Sequence, residues 1–173
     1  LAQAADRRYD VVLPPLAEAF PKSEFFAFLA EIARQTAYLP AAGFVDDLSA
    51  DVQWVARPGS DRAVLLVCGH AHRLGVHPAL LHRWMAGLEA HLIYVRDFSL
   101  RYFTTGIRSL GDYGETIAAL RARLAAAGVR RLVSYGNSGG VYGALKLGLD
   151  LGANGVVGIA GPTNLDPVFL EAH

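Results

Sequence analysis

The stretch RRLVSYGNSGGVYGALKLGLDL, Arg130 to Leu151, decides how this chain is read. Its first six residues form a β-prone run, and VYGALKLGLDL at its end reads as a helix. Between them lies Gly136-Asn137-Ser138-Gly139-Gly140, a G-x-S-x-G string. The letters alone arise by chance in a Gly-rich chain, so the order strand, string, helix carries the signal. A Ser at so sharp a turn sits on a strained backbone, and a Cβ two residues before or after it collides with the neighbouring strand or helix. Gly136 and Gly140 remove those side chains. Gly140, Ala144 and Gly148 share one helix face and allow close approach to a sheet. The helix starts at Ser138, so its unpaired N–H groups and positive dipole end meet any negative charge that forms there. Ser138 is thus a candidate nucleophile. The competing reading is a tight Gly-rich turn with a merely exposed hydroxyl.

Working outward, short β-rich runs alternate with helical windows from Val52 onward. This is the α/β pattern of a mostly parallel sheet with helices on both faces. Val52 to Ala56 reads as an edge strand, while Ala63 to Cys68 (AVLLVC) has the continuous apolar run of a strand buried on both faces. A helix is expected over Pro78 to Ala90, with Leu80, Leu81, Trp84 and Leu88 inward, then a strand at His91 to Val95. Asp112 and Glu115 make an Asp version of the capping box, ahead of an inner stripe of Tyr113, Ile117, Leu120 and Leu124 and a stop at Gly128. Further strands are expected at Arg130 to Tyr135 and Gly155 to Ala160.

Residues 1–51 read differently. Ser23 caps a predicted helix whose Phe25, Phe28, Leu29 and Ile32 form one apolar stripe, ending near Tyr38 ahead of Pro40. The expectation is a helical segment that packs on the core formed by 52–173.

Composition narrows the class. The chain has 173 residues, 53% of them hydrophobic, and 16 basic side chains balance 16 acidic ones. Charge balance argues against a nucleic-acid partner, and the apolar content against disorder. A single Cys excludes an internal disulfide. With no long apolar run and no signal-like opening in LAQAADRRYD, a cytoplasmic protein with no membrane partner is expected.

The segment around Ser138 resembles the nucleophile elbow of the α/β-hydrolase superfamily. Leu65 to Gly69 with His70 looks like that family's third strand and oxyanion loop, HLIYVRD like its fourth strand, RRLVSYGNSGG like its fifth strand and elbow, and GVVGIAGP like its sixth. The resemblance covers Val52 to Pro167, about two thirds of the chain. It implies a serine hydrolase of a small-molecule ester or thioester, working through an acyl-enzyme on Ser138 with no cofactor and no metal. The backbone N–H of Gly139 would be one oxyanion donor, and that of His70 or Ala71 the other. In this family the acid and then the His follow the Ser along the chain. Asp166, after the sixth-strand segment, is the candidate acid; Asp150 lies inside a helix, and Glu171 and His173 close the sequence. A complete core of this family has eight strands, of which five or six are recognisable here, so the expectation is a core truncated after its sixth strand, with the usual acid and base beyond residue 173. An acyltransferase using the same elbow is a close variant. A noncatalytic scaffold or binding module that kept the elbow is the alternative from a different class.

Other residues have ordinary explanations. His70, His72, His77 and His82 lie close in sequence, but no carboxylate between Arg62 and Trp84 completes a ligand set, so they read as polar loop histidines. Cys68 reads as a small apolar filler at a strand end. Asp97, beside Arg96, reads as a surface pair or loop anchor. Arg121, Arg123, Arg130 and Arg131 read as a solvated face. Tyr94, Phe98, Tyr102 and Phe103 either line an acyl pocket or form loop core.

Overall fold

The computed structural model describes residues 15, 18–36, 44–76 and 78–166. Pro40, His77, Glu171 and His173 lie outside the described residues. The chain divides into two compact units, one from Leu1–Asp46 with His77–Leu88, the other from Asp47–Val76 with Glu89–His173.

The first unit holds α1 (Glu24–Thr36) and α2 (Pro78–Met85). Ser23 caps α1 as expected, its Oγ accepting the Phe26 N–H at 3.3 Å. Two members of the apolar stripe depart from expectation, because Phe25 and Phe28 are 64% and 61% exposed. The side chains of Leu29 and Ile32 are outside the described set. Phe25 and Phe20 sit instead against Phe26, with ring centroids 5.8 and 5.4 Å away. The helix expected to reach Ala90 stops at Met85, and Leu88 is exposed rather than inward. Tight turns end it, with Ala86 N–H donating to Arg83 O and Leu88 N–H to Met85 O, around Gly87. Within this unit the buried His82 ring stacks on Phe44 at 4.5 Å.

The second unit is a five-stranded α/β sheet built from β1 (Val52–Val55), β2 (Arg62–Val67), β3 (His91–Val95), β4 (Arg131–Asn137) and β5 (Gly155–Ile159). The spatial order is β1-β3-β2-β4-β5. β1 runs antiparallel to β3, with Trp54 opposite Ile93, and every other pairing is parallel. β1 is therefore the edge strand its short sequence suggests. The apolar runs of β2 and β3 occupy the middle, where both faces are covered: all five residues of β3 are buried, as are Leu65, Leu66 and Val67.

Two helices pack on this sheet, α3 (Tyr113–Ala126) and α4 (Gly140–Leu151). α3 starts on the capping box read from the sequence: Asp112 accepts the Glu115 N–H at 2.9 Å and Glu115 accepts the Asp112 N–H at 2.8 Å. Its stripe of Ile117, Leu120 and Leu124 meets Leu65, Val67, Ile93, Val95 and Leu147 in one apolar cluster. Each such side chain contributes roughly 1.5–3 kcal/mol of burial relative to an exposed position. Tyr113 ties α3 to α4 by donating its hydroxyl to Asp150 at 2.6 Å, under Lys146. The basic run is exposed, as expected: Arg130 pairs with Asp61 at 2.8 Å and Arg123 lies over Trp54.

The strand order fixes where a site can form. β3 and β4 lie on opposite sides of β2, so the chain leaves β2 in one direction and returns past it to build β4. The loops after β2 and β4 thus diverge and leave a crevice at the carboxyl ends of these two strands.

Candidate active site

Ser138 stands at that crevice, one residue beyond β4. Its backbone is left-handed, φ +52°, a conformation that costs a non-glycine residue about 1 kcal/mol or more. The surrounding chain holds it there. The Ser138 N–H donates to Ile159 O at 2.9 Å, and Ser138 O accepts from Val141 N–H at 2.9 Å. Both flanking glycines are required by contact: a Cβ on Gly136 would strike Gly140 O and sit 2.8 Å from the Ala144 Cβ, and one on Gly140 would strike Val67 O and lie 2.8 Å from Cys68 O. The turn is strained, backbone-enforced and aimed outward, and the Ser138 side chain is exposed.

A cleft of about 510 Å³ opens over it. One wall is His70 and Tyr102, the floor is Ser138 and Gly139, and the far side is Ala160, Gly161 and Pro162. His70 covers Gly139 so closely that a Cβ there would lie 2.9 Å from the imidazole Cδ2. Tyr102 backs the imidazole, with ring centroids 4.3 Å apart.

The polar groups on offer suit an anion. Among the described residues no acceptor is bonded to the N–H of Gly139, which stands as the N-cap of α4. The turn after β2 is closed by His72 N–H donating to Gly69 O at 2.8 Å, and the N–H groups of His70 and Ala71 inside it are likewise unbonded. Three free backbone donors on two converging loops, one of them on a helix start, are the makings of an oxyanion site.

The expected residues divide as follows. Ser138, Gly139 and His70 come together in the cleft. Asp166 does not line it; it is exposed beyond β5 and accepts the Asn164 amide at 3.2 Å. Asp150 is on α4, bonded to Tyr113. Cys68 is buried at the end of β2 and its N–H reaches Val95 O. No three of His, Cys, Asp and Glu gather as a metal site among the described residues. Of the four aromatic residues considered for a pocket, only Tyr102 lines the cleft; Tyr94 and Phe103 are buried, and Phe98 sits 4.8 Å from the His72 ring. Burial, followed by the nearby Arg96 cation, pushes the His72 imidazole below its ordinary range.

One contribution escaped the sequence. The Ala160-Gly161-Pro162 wall has as its signal only a glycine after β5, where a Cβ would strike Ser138 O. Of the two readings of Asp97 beside Arg96, the loop anchor holds and the surface pair does not. Arg96 is fully buried and donates to Ala50 O at 2.9 Å and Gln53 at 3.1 Å, while Asp97 is buried in its own loop. Asp97 closes an Asx turn, its Oδ1 accepting the Ser99 N–H at 2.9 Å.

No family model matches this chain, and neither the curated proteins nor the solved structures searched contain a significant match. No described helix is long and apolar enough to cross a membrane.

Proposed function

We propose that the chain carries the nucleophile of an α/β-hydrolase-type serine hydrolase, with Ser138 attacking the carbonyl carbon of an ester or thioester. The observation that carries this reading is the left-handed Ser138 at the strand-to-helix turn, facing a cleft at the point where the strand order reverses. Attack by Ser138 Oγ forms a tetrahedral intermediate, whose oxyanion the N–H groups of Gly139 and of His70 or Ala71 receive. Loss of one such donor costs on the order of a hundredfold or more in turnover. Collapse expels the alcohol or thiol and leaves an acyl-enzyme, which water then hydrolyses; an acyltransferase would use another acceptor at that step. Ser138 needs a base to take its proton. Of the residues that line the cleft, His70 carries the imidazole. In this reading the set also needs an acid, and no carboxylate lines the described cleft.

Among the described residues the Ser138 hydroxyl has no hydrogen-bond partner, which favours a second reading, a binding module that retains the elbow without turnover. Treating the full-length protein with a fluorophosphonate probe separates the two. Labelling that disappears in Ser138→Ala supports the hydrolase, and a well-folded protein that stays unlabelled supports the module.

A further inference from the structure

The buried carboxylate of Asp97 stands just past β3, and its neighbourhood is unusual. Its Oδ2 accepts the N–H of Arg101 at 2.7 Å and that of Phe103 at 2.8 Å. Its Oδ1 accepts the N–H of Ser99 at 2.9 Å and the Ser99 hydroxyl as well. One side chain therefore gathers three alternate amides of a single loop. Within this loop Leu100, Tyr102 and Phe103 all hold left-handed φ angles of 55°, 56° and 63°, which bulky side chains do not choose by themselves. A loop of this shape persists only where its surroundings over-determine it, and the Asp97 acceptors are the groups that do so. The two residues that result point opposite ways. Phe103 is 1% exposed and reaches α4, where a Cβ on Gly143 would collide with its ring. Tyr102 turns toward the cleft and lies against His70.

We infer that Asp97 is a positioning residue for the cleft: by collecting the amides of Ser99, Arg101 and Phe103 it sets Tyr102 against His70 and so fixes the imidazole over Gly139 beside Ser138. The part of this inference that concerns reactivity rests on the hydrolase reading; the part that concerns geometry does not. Asp97 touches neither the cleft nor Ser138, and it acts through Tyr102. An amide in place of the carboxylate keeps its size but loses acceptor capacity against several donors, so the loop loosens and Tyr102 leaves the imidazole.

The test is carried out on the full-length protein by NMR of the His70 ring protons, with probe labelling alongside. Tyr102→Leu removes the ring-current displacement of His70 and defines the signal. Asp97→Asn is expected to remove the same displacement while the fold persists, and to slow fluorophosphonate labelling of Ser138 by about tenfold or more. Leu120→Ala, a core variant remote from the cleft, is expected to lower stability and leave the His70 displacement intact, which separates positioning from general destabilisation. A folded Asp97→Asn with unchanged His70 resonances overturns the inference. If the wild type shows the Asp97-dependent displacement yet is never labelled, the hydrolase reading fails and the positioning role stands. If Asp97→Asn does not fold, hydrogen exchange on the wild type decides: slow exchange at the Arg101 and Phe103 amides is expected, and exchange at the rate of an unstructured chain contradicts the anchor.

Discussion

The carbonyl oxygen of Ile159, the last residue of β5, accepts the amide N–H of Ser138 at 2.9 Å. The neighbouring strand thus holds the backbone of Ser138, the proposed nucleophile, from the side, while Val141 N–H holds it from the helix. The elbow is a junction of three elements, and disturbing any of them should be felt at the Ser138 hydroxyl.

Gly140→Ala tests the helix side. The added Cβ meets the carbonyl oxygens of Val67 and Cys68, which are backbone and cannot swing away. The expected cost is about 1–3 kcal/mol of stability, with weakened probe labelling because α4 is pushed off the turn. Gly155→Ala places its Cβ in open space and is expected to stay within about 0.5 kcal/mol of wild type. Thermal melts of the two variants check the difference; equal midpoints would show that the approach of α4 is not tight.

Ser134→Ala should be neutral or stabilising. The Ser134 hydroxyl is fully buried on the helix-facing side of β4 and has no hydrogen-bond partner among the described residues. Gly148 lies over it so closely that a Cβ there would be 2.9 Å from the Ser134 Cβ. Removing an unsatisfied hydroxyl relieves a desolvation penalty of about 1–3 kcal/mol, set against a small loss of contact. A chemical denaturation midpoint well below wild type would mean that the hydroxyl has a partner after all.

The pH dependence has a definite sign. Burial holds the His82 imidazole below its ordinary value of 6.5, and desolvation acts likewise on His72. The unfolded chain therefore binds protons more readily than the folded one. Stability is fully present above about pH 6.5 and falls as the pH drops through that value toward the lowered folded pKa. His82→Phe keeps a ring on Phe44 and should reduce the loss between about pH 7.5 and pH 5.5, read from urea midpoints. An unchanged loss would assign the acid sensitivity to other groups.

The legible parts of the fold were those where local chemistry and tertiary context agree. Asp112 and Glu115 announce α3 because both halves of a capping box are in the sequence, and AVLLVC announces a central strand because a short continuous apolar run is typical of a strand covered on both faces. The elbow was readable because Gly136 and Gly140 are demanded by backbone contact rather than by preference. Leu88 misled because helical spacing continues past Met85, where Gly87 and two tight turns end the helix. Phe25 and Phe28 misled for a different reason: a stripe shows what a helix can bury, not what lies against it. The cleft wall was the least legible part. Tyr102 meets His70 only because Asp97 bends the chain into left-handed turns, and no periodicity records a bend made by a carboxylate.

The most direct test of the central claim is covalent labelling of the full-length protein with a fluorophosphonate, followed by mass spectrometry of the modified peptide. A single adduct on Ser138 is expected, absent in Ser138→Ala and slowed in Gly140→Ala. A folded, full-length protein that takes no label, or takes it at another residue, would contradict it.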